Sequence, residues 1–248
     1  MIDPRVSVIS ERLRNIRRVI AVSSGKGGVG KSLVASVLAL TLVKRGFKVG
    51  LFDTDFTSPS SHLILGVTEI QPKEKNGIVP PIVHGLKYMS IIHYVGDRAS
   101  PLRGADFSNA LIELLAVTVW GELDFLIVDM PPGISDAALD VIRLIRKAEF
   151  LVVTTPSRLA FETIRKFIDL LTELKVPVLG VIENMKMTGS NFIRQEVEKR
   201  GVRFWGEIPF DEDLEEAIGD TERLLSIRFG KALERMVCEN LTNTSQIG

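Results

Sequence analysis

Ser24-Gly25-Lys26-Gly27-Gly28-Val29-Gly30-Lys31-Ser32 is the stretch that decides how the rest of the chain is read. It satisfies G-x-x-x-x-G-K-S/T, a phosphate loop. The apolar run 19–23 before it predicts a strand, and the pattern over 31–45 predicts a helix. Glycines at 25, 27, 28 and 30 let the backbone wrap closely, so successive N–H groups point at phosphate oxygens at a helix N-terminus. In such a loop Lys31 reaches the β- and γ-phosphates and the Ser32 hydroxyl holds Mg²⁺. The nucleotide cradle is then Gly25, Lys26, Gly27, Gly28, Val29, Gly30, Lys31, Ser32 and Leu33. Lys26 is the unusual member. It is too close to its own phosphates to be needed for binding them, and it is suited to reach the nucleotide of a second copy.

Outward from the loop, short apolar runs alternate with helical patterns. Strands are predicted over 19–23, 48–53, 86–92, 125–129, 150–154, 178–183 and 203–207, and helices near 31–45, 104–120, 135–148, 158–174, 191–200, 211–219 and 222–240. The strand runs are rich in Val, Ile and Leu and do not alternate with polar residues, as parallel strands buried on both faces require. The expected fold class is therefore α/β: a three-layer, doubly wound, mostly parallel sheet with helices on both faces. Ligands should gather at the carboxyl ends of its strands. Val6, Ile9, Leu13 and Ile16 fall at helical spacing, so residues 1–18 read as a basic amphipathic helical arm, with residues 19–248 as one nucleotide-binding domain.

Composition narrows the partners. The 248 residues are 45% hydrophobic and 25% charged, with a formal net charge of +0, so no global field recruits nucleic acid or an anionic membrane. The charge is locally uneven: residues 5–18 hold five Arg against one Glu, and residues 207–222 hold eight acids with no Lys or Arg. The single cysteine, Cys238, excludes an internal disulfide, and His62, His84 and His93 lack metal-ligand spacing. There is no run apolar enough to span a membrane and no secretory pattern, so a cytoplasmic location is expected.

Three further segments carry chemistry. Asp53-Thr54-Asp55-Phe56-Thr57-Ser58-Pro59-Ser60 follows the second predicted strand and brings carboxylates to its carboxyl end. Phe125-Leu126-Ile127-Val128-Asp129 reads as a Walker B strand, with Asp129 accepting hydrogen bonds from metal-bound water, before Met130-Pro131-Pro132-Gly133. In Val181-Ile182-Glu183-Asn184-Met185, Asn184 can pair with adenine. No Asp stands where a guanine reader would place one, so ATP is favoured over GTP.

The spelling GKGGVGKS resembles the deviant phosphate loop of the Mrp/MinD ATPases, whose subunits sandwich two ATP molecules. Asp53–Ser60 resembles that group's first switch, and Asp129-Met130-Pro131-Pro132-Gly133 its second. By this resemblance Asp55 orients the attacking water, Asp53 supports the metal shell with Ser32 and Asp129, and Pro209, Phe210 and Asp211 form a second adenine-side loop. Lys26, Lys31 and Asp55 would be the catalytic groups, with ATP or ADP and Mg²⁺ as cofactors. The resemblance further implies a homodimer closed across the nucleotide. Asp211 is also read as a turn that caps a helix.

The chain departs from its relatives at one place. Cluster-carrying members have C-x-x-C shortly after the E-N-M segment, where this chain has Lys186-Met187-Thr188-Gly189-Ser190-Asn191. Without those thiolates, the chain looks most like the archaeal HypB-type ATPase of nickel–iron hydrogenase maturation. That likeness implies a HypA-type nickel chaperone as partner. An iron–sulfur assembly ATPase without its own cluster ligands and a MinD-like spatial regulator are the alternatives.

Overall fold

The computed structural model describes residues 3–56, 58–67, 71–95, 105–133, 136–187 and 189–242. Thr57 of the first-switch segment, Thr188 of the E-N-M loop, residues 1–2 of the arm and the first residues of the 104–120 and 135–148 patterns lie outside them.

Helix α1 (Arg5–Arg12) leads into β1 (Ile16–Ser24), and α2 (Lys31–Lys44) into β2 (Val49–Asp53). Next come α3 (Ser61–Ile64), a small ladder of β3 (Lys73–Glu74) with β4 (Ile78–Val79), then β5 (Ile82–Val83), β6 (Leu86–Ser90) and α4 (Ile92–Val95). Regular alternation resumes with α5 (Ala105–Val117), β7 (Leu123–Asp129), α6 (Asp136–Leu144), β8 (Ala148–Thr154), α7 (Arg158–Glu173), β9 (Val178–Lys186), α8 (Phe192–Glu198) and β10 (Phe204–Pro209). Helices α9 (Leu214–Ala217), α10 (Thr221–Ser226) and α11 (Arg228–Asn240) complete the described elements.

The main sheet has eight strands in the order β10-β9-β8-β1-β7-β2-β6-β5. Every pairing is parallel except β5 with β6. This is the expected doubly wound α/β architecture. Successive strand residues serve opposite layers. Val19 and Ala21 of β1 enter one core with Ile9, Leu111, Val141, Phe167 and Val197 from α1, α5, α6, α7 and α8. Ile20 and Val22 enter the other, with Leu38, Leu224 and Leu233 from α2, α10 and α11. Burial on both faces explains why the strands read as continuous apolar runs.

Three differences from the sequence reading have physical causes. Strand β1 begins at Ile16, so the last residues of the arm expected over 1–18 belong to the sheet. Arginines there hide the strand signal, yet Arg18 pairs with Glu149 of neighbouring β8 at 2.8 Å and lies over the Phe125 ring. Second, the helix expected over 222–240 is two helices. Ile227, extended at φ −74°, ψ 174°, ends α10 and begins α11. Third, the excursion 68–82 contains the β3–β4 ladder and the start of β5.

Candidate functional site

Strand β1 lies between β8 and β7, the point at which chain order reverses, so its carboxyl end opens a crevice. The phosphate loop fills that position. Gly30, with φ +82°, is the left-handed residue before α2, and a Cβ there would stand 2.3 Å from Asn184 Nδ2. Asn184 reaches this spot because its Nδ2 donates to the Val29 carbonyl at 2.9 Å. Ser24 Oγ donates to the Lys26 carbonyl at 3.0 Å and folds the loop's other end. The loop is thus braced on both sides before any ligand is considered.

A cleft of about 440 Å³ opens above it. Of the expected residues, Lys26, Gly27, Gly28, Gly30, Lys31, Ser32, Leu33 and Asp55 line this cleft. Gly25 and Val29 belong to the loop but not to the lining. Gly25 is pressed against α7, where a Cβ would meet Thr163 at 2.8 Å. Ser24 of the loop, Ser58, Ser60 and Pro132 of the two switch-like segments, and Ile64, which was not singled out from sequence, also line the cleft.

Beneath the cleft lies a buried charged layer. Lys31 Nζ pairs closely with Asp129 Oδ1 and is 3.1 Å from Ser32 Oγ. The other Asp129 oxygen, Oδ2, is buried with no hydrogen-bond partner among the described residues. Burial pushes the Asp129 carboxyl upward, and the Lys31 ammonium opposes that. An orphaned carboxylate oxygen beside a serine hydroxyl and a lysine fits a hydrated divalent cation as partner. Among the described residues, no group of three or more His, Cys, Asp or Glu is arranged to hold a metal by itself. A cation here would therefore take most of its ligands from water and phosphate.

Asp53 stands differently from the sequence expectation. It is fully buried and does not line the cleft. Its Oδ1 accepts from the Asp55 amide at 3.0 Å, and its Oδ2 from the Ser61 hydroxyl and amide. Ser61 Oγ is in turn 2.9 Å from the Tyr88 hydroxyl on β6. The network ties the loop carrying Asp55 to the sheet, and Asp55 Oδ1 accepts from the Ser58 amide at 3.2 Å. Burial, then the charge of Asp129, pushes the Asp53 carboxyl from 3.8 up to about 7.

That shift has a stability consequence. Between about pH 4 and pH 7 the unfolded chain releases a proton that folded Asp53 retains, so stability falls as pH rises through this window and levels off above it. The unfolding midpoint of the nucleotide-free protein is therefore expected to be higher near pH 5 than near pH 8. Asp53→Asn should flatten that slope. A slope unchanged in the variant would assign the proton to another group.

The base-side segments lie together beyond the loop. Phe210 N donates to the Lys186 carbonyl at 3.0 Å, joining the loops after β9 and β10. Phe210 is half exposed, while Asp211 is buried. Asp211 Oδ1 accepts from its own turn at Asp213 N, and Oδ2 from Phe229 N at 2.9 Å, at the start of α11. Asp211 is thus a helix cap, for a helix well beyond its own turn. Asn184 and Asp211 both spend side-chain contacts on the protein, and neither they nor Pro209 and Phe210 line the cleft. Just after Asn184, half-buried Lys186 pairs with Glu183 at 2.7 Å and Glu207 at 3.2 Å.

Comparison with known proteins agrees with this arrangement. A family model described as "ParA: NUBPL iron-transfer P-loop NTPase" matches residues 15–243. An iron-sulfur cluster carrier protein of Methanococcus maripaludis is 38% identical over 204 residues, covering 80% of this chain and 69% of that protein. Carriers of the same name from Pseudomonas fragi and Aquifex aeolicus are 40% and 35% identical, over 70% and 83% of this chain. The matches cover 62% and 61% of those two proteins, so the chain spans less than two thirds of their length. A nucleotide-binding protein from Archaeoglobus fulgidus, solved in complex with ADP, matches with a TM-score of 0.77 at 33% identity, over 89% of this chain and 93% of that one. The cell division ATPase MinD of Pyrococcus furiosus shares the fold, with a TM-score of 0.68 at 21% identity. The chain belongs to the ParA family of P-loop NTPases, in the group described as NUBPL iron-transfer proteins.

Proposed function

We propose that this protein is an ATP-binding, ATP-hydrolysing homodimer that acts in the handling of iron–sulfur clusters and relies on a partner's thiolates to hold the cluster. The observation that carries the reading is the braced phosphate loop over Lys31, Ser32 and Asp129, in a chain whose relatives are named iron–sulfur cluster carriers. The expected kinship with HypB-type nickel ATPases, and the HypA-type partner, find no support among those relatives. Nickel delivery is therefore set aside in favour of the iron–sulfur alternative. No helix among the described residues is long and apolar enough to cross a membrane.

In this reading Lys31 leaves Asp129 to neutralise the β- and γ-phosphates, and the Ser32 hydroxyl and the Asp129 carboxylate would hold a hydrated Mg²⁺. When bound, the cation neutralises charge on the transferring phosphoryl group. Asp55, set in the cleft by the Asp53–Ser61–Tyr88 network, orients the attacking water, so Asp53 is a positioning residue. Lys26 is exposed at the cleft mouth with no ion-pair partner among the described residues, which suits service to a facing protomer. Asn184 shapes the base side by fixing the Val29–Gly30 backbone, with Phe210 offering an apolar face to the base.

The cluster cannot sit on the loop after β9 in the manner of relatives, because the chain's one cysteine, Cys238, lies on α11 against Arg45 at the far end of α2. Nucleotide state would instead select the protomer geometry that a cysteine-bearing partner recognises. Two measurements test this together. Anaerobic reconstitution of the purified protein with iron and sulfide should yield no visible absorption band. Immobilised protein should retain radioactive iron from an anaerobic, iron-labelled extract with ATP and lose it with ADP. Retention of radioactive nickel from a parallel nickel-labelled extract, in place of iron, would restore the nickel reading, and retention of neither would remove metal handling.

A further inference from the structure

We propose that the groove between α1 and the end of α6 is a docking surface for an acidic segment of a partner protein, anchored by an apolar side chain. At about 590 Å³ the groove is larger than the nucleotide cleft. It lies at the opposite end of the sheet, since Leu13 and Arg14 precede β1 and Ile145 to Lys147 precede β8, whereas the phosphate loop follows the end of β1. Its occupant would leave the nucleotide face clear.

The floor is apolar, built from Val6, Leu13, Leu144 and Ile145. Four cations surround it: Arg14, Arg143, Arg146 and Lys147. The lining holds one acid, Asp3, and Arg5 already claims it at 2.7 Å. Arg143 pairs with Asp140 of its own helix at 3.0 Å. Arg14 and Arg146 are exposed and pair with no carboxylate among the described residues. Lys147 donates to the Leu13 and Ile16 carbonyls, which hold its ammonium at the groove without cancelling its charge.

A simpler account is that cations complement the C-termini of α1 and α6, which converge here. Each helix end carries a charge of only about −0.5, so two ends balance about one of the four cations. The remaining positive charge asks for an acidic occupant, and the apolar floor asks for a side chain rather than a free anion. The pairing of basic rim with apolar base points to a peptide in which acids alternate with leucine-like residues.

The test uses the full chain and a short fluorescein-labelled peptide of alternating glutamate and leucine, followed by fluorescence anisotropy. Saturable binding is expected, weakened by salt. It should be lost when leucine is replaced by glycine or glutamate by lysine. Arg14→Glu combined with Arg146→Glu, both exposed changes, should weaken peptide binding at least about tenfold and leave ATP affinity unchanged. No saturable binding, or equal binding by the charge-reversed variant, overturns the proposal. Tighter, variant-sensitive binding of single-stranded DNA would overturn it in favour of a nucleic-acid surface. Self-association of the protein that the variant abolishes would overturn it in favour of a second copy, docking through its acidic run 211–222.

Discussion

Lys26→Ala is expected to lower ATP hydrolysis by about 10³–10⁵-fold, the range over which a cation supplied to a phosphoryl-transfer centre acts. ATP affinity should change little. The structure explains why these two effects separate. Lys31 is the cation buried next to Ser32 and Asp129 at the base of the cleft, where the proposed function has it serve the phosphates of its own subunit. Lys26 instead projects from the rim, and its contribution to the loop is its backbone carbonyl, which accepts from Ser24 Oγ. Alanine keeps that carbonyl, so the cradle survives the change. What is removed is charge that the neighbouring subunit's nucleotide would meet. Light scattering with ATP should therefore show a monomer where the proposed function expects a wild-type dimer, and phosphate release should fall in parallel. A variant that dimerises normally and turns over at the wild-type rate would end the idea of a shared lysine.

The readiness with which different parts of this site could be read from the chain follows from how local their causes are. The phosphate loop was legible because its glycines, lysine and serine are consecutive, and its strand and helix adjoin it. Asp129 was legible because a buried strand ending in an acid has a recognisable spelling. Side-chain direction was another matter. Asn184 sits on the expected strand end, but its partner, the Val29 carbonyl, is 155 residues away in sequence. Asp211 lies in the expected turn, yet caps α11 through Phe229. Asp53 shows the limit most clearly. Its spelling next to Asp55 suggests a metal ligand, whereas the fold brings Ser61 and Tyr88 against it and turns it below the cleft. No spacing rule connects Ser61 to Tyr88; only the pairing of β2 with β6 does.

The same distinction explains the fold-level differences. Arg17 and Arg18 interrupt the apolar run that marks β1, so the strand's first residues were hidden. The ladder with β7 nevertheless begins at Ile16 opposite Leu123. Charge at the mouth of a strand is tolerated when a neighbouring strand supplies an acid, as Glu149 of β8 does for Arg18. Function was the least local feature of all. Absence of the cysteine pair argued toward nickel delivery, whereas the family match and the names of the relatives point to iron–sulfur proteins.

Lys31→Ala is expected to have two separable consequences, one on binding and one on folding. Loss of a charge-assisted contact to the β- and γ-phosphates should weaken ATP about 10- to 100-fold. Calorimetry checks this directly, and unchanged affinity would mean that the loop backbone alone holds the phosphates. The folding effect comes from Asp129, which Lys31 partly neutralises in a buried site whose second oxygen has no hydrogen-bond partner among the described residues. Removing one member of such a pair typically costs about 3–5 kcal/mol, because the other charge is stranded. Asp129 has an escape: burial already raises its carboxyl, and without Lys31 it would rise further and hold a proton. The destabilisation should accordingly be greatest near pH 8 and shrink toward pH 5, because taking up a proton costs the folded chain less as the pH nears the range in which an unfolded aspartate titrates. Lys31→Ala combined with Asp129→Asn should recover most of the lost stability at pH 8 while recovering none of the ATP affinity. A double variant as unstable as the single one would show that Lys31 supports the fold through packing rather than through its charge.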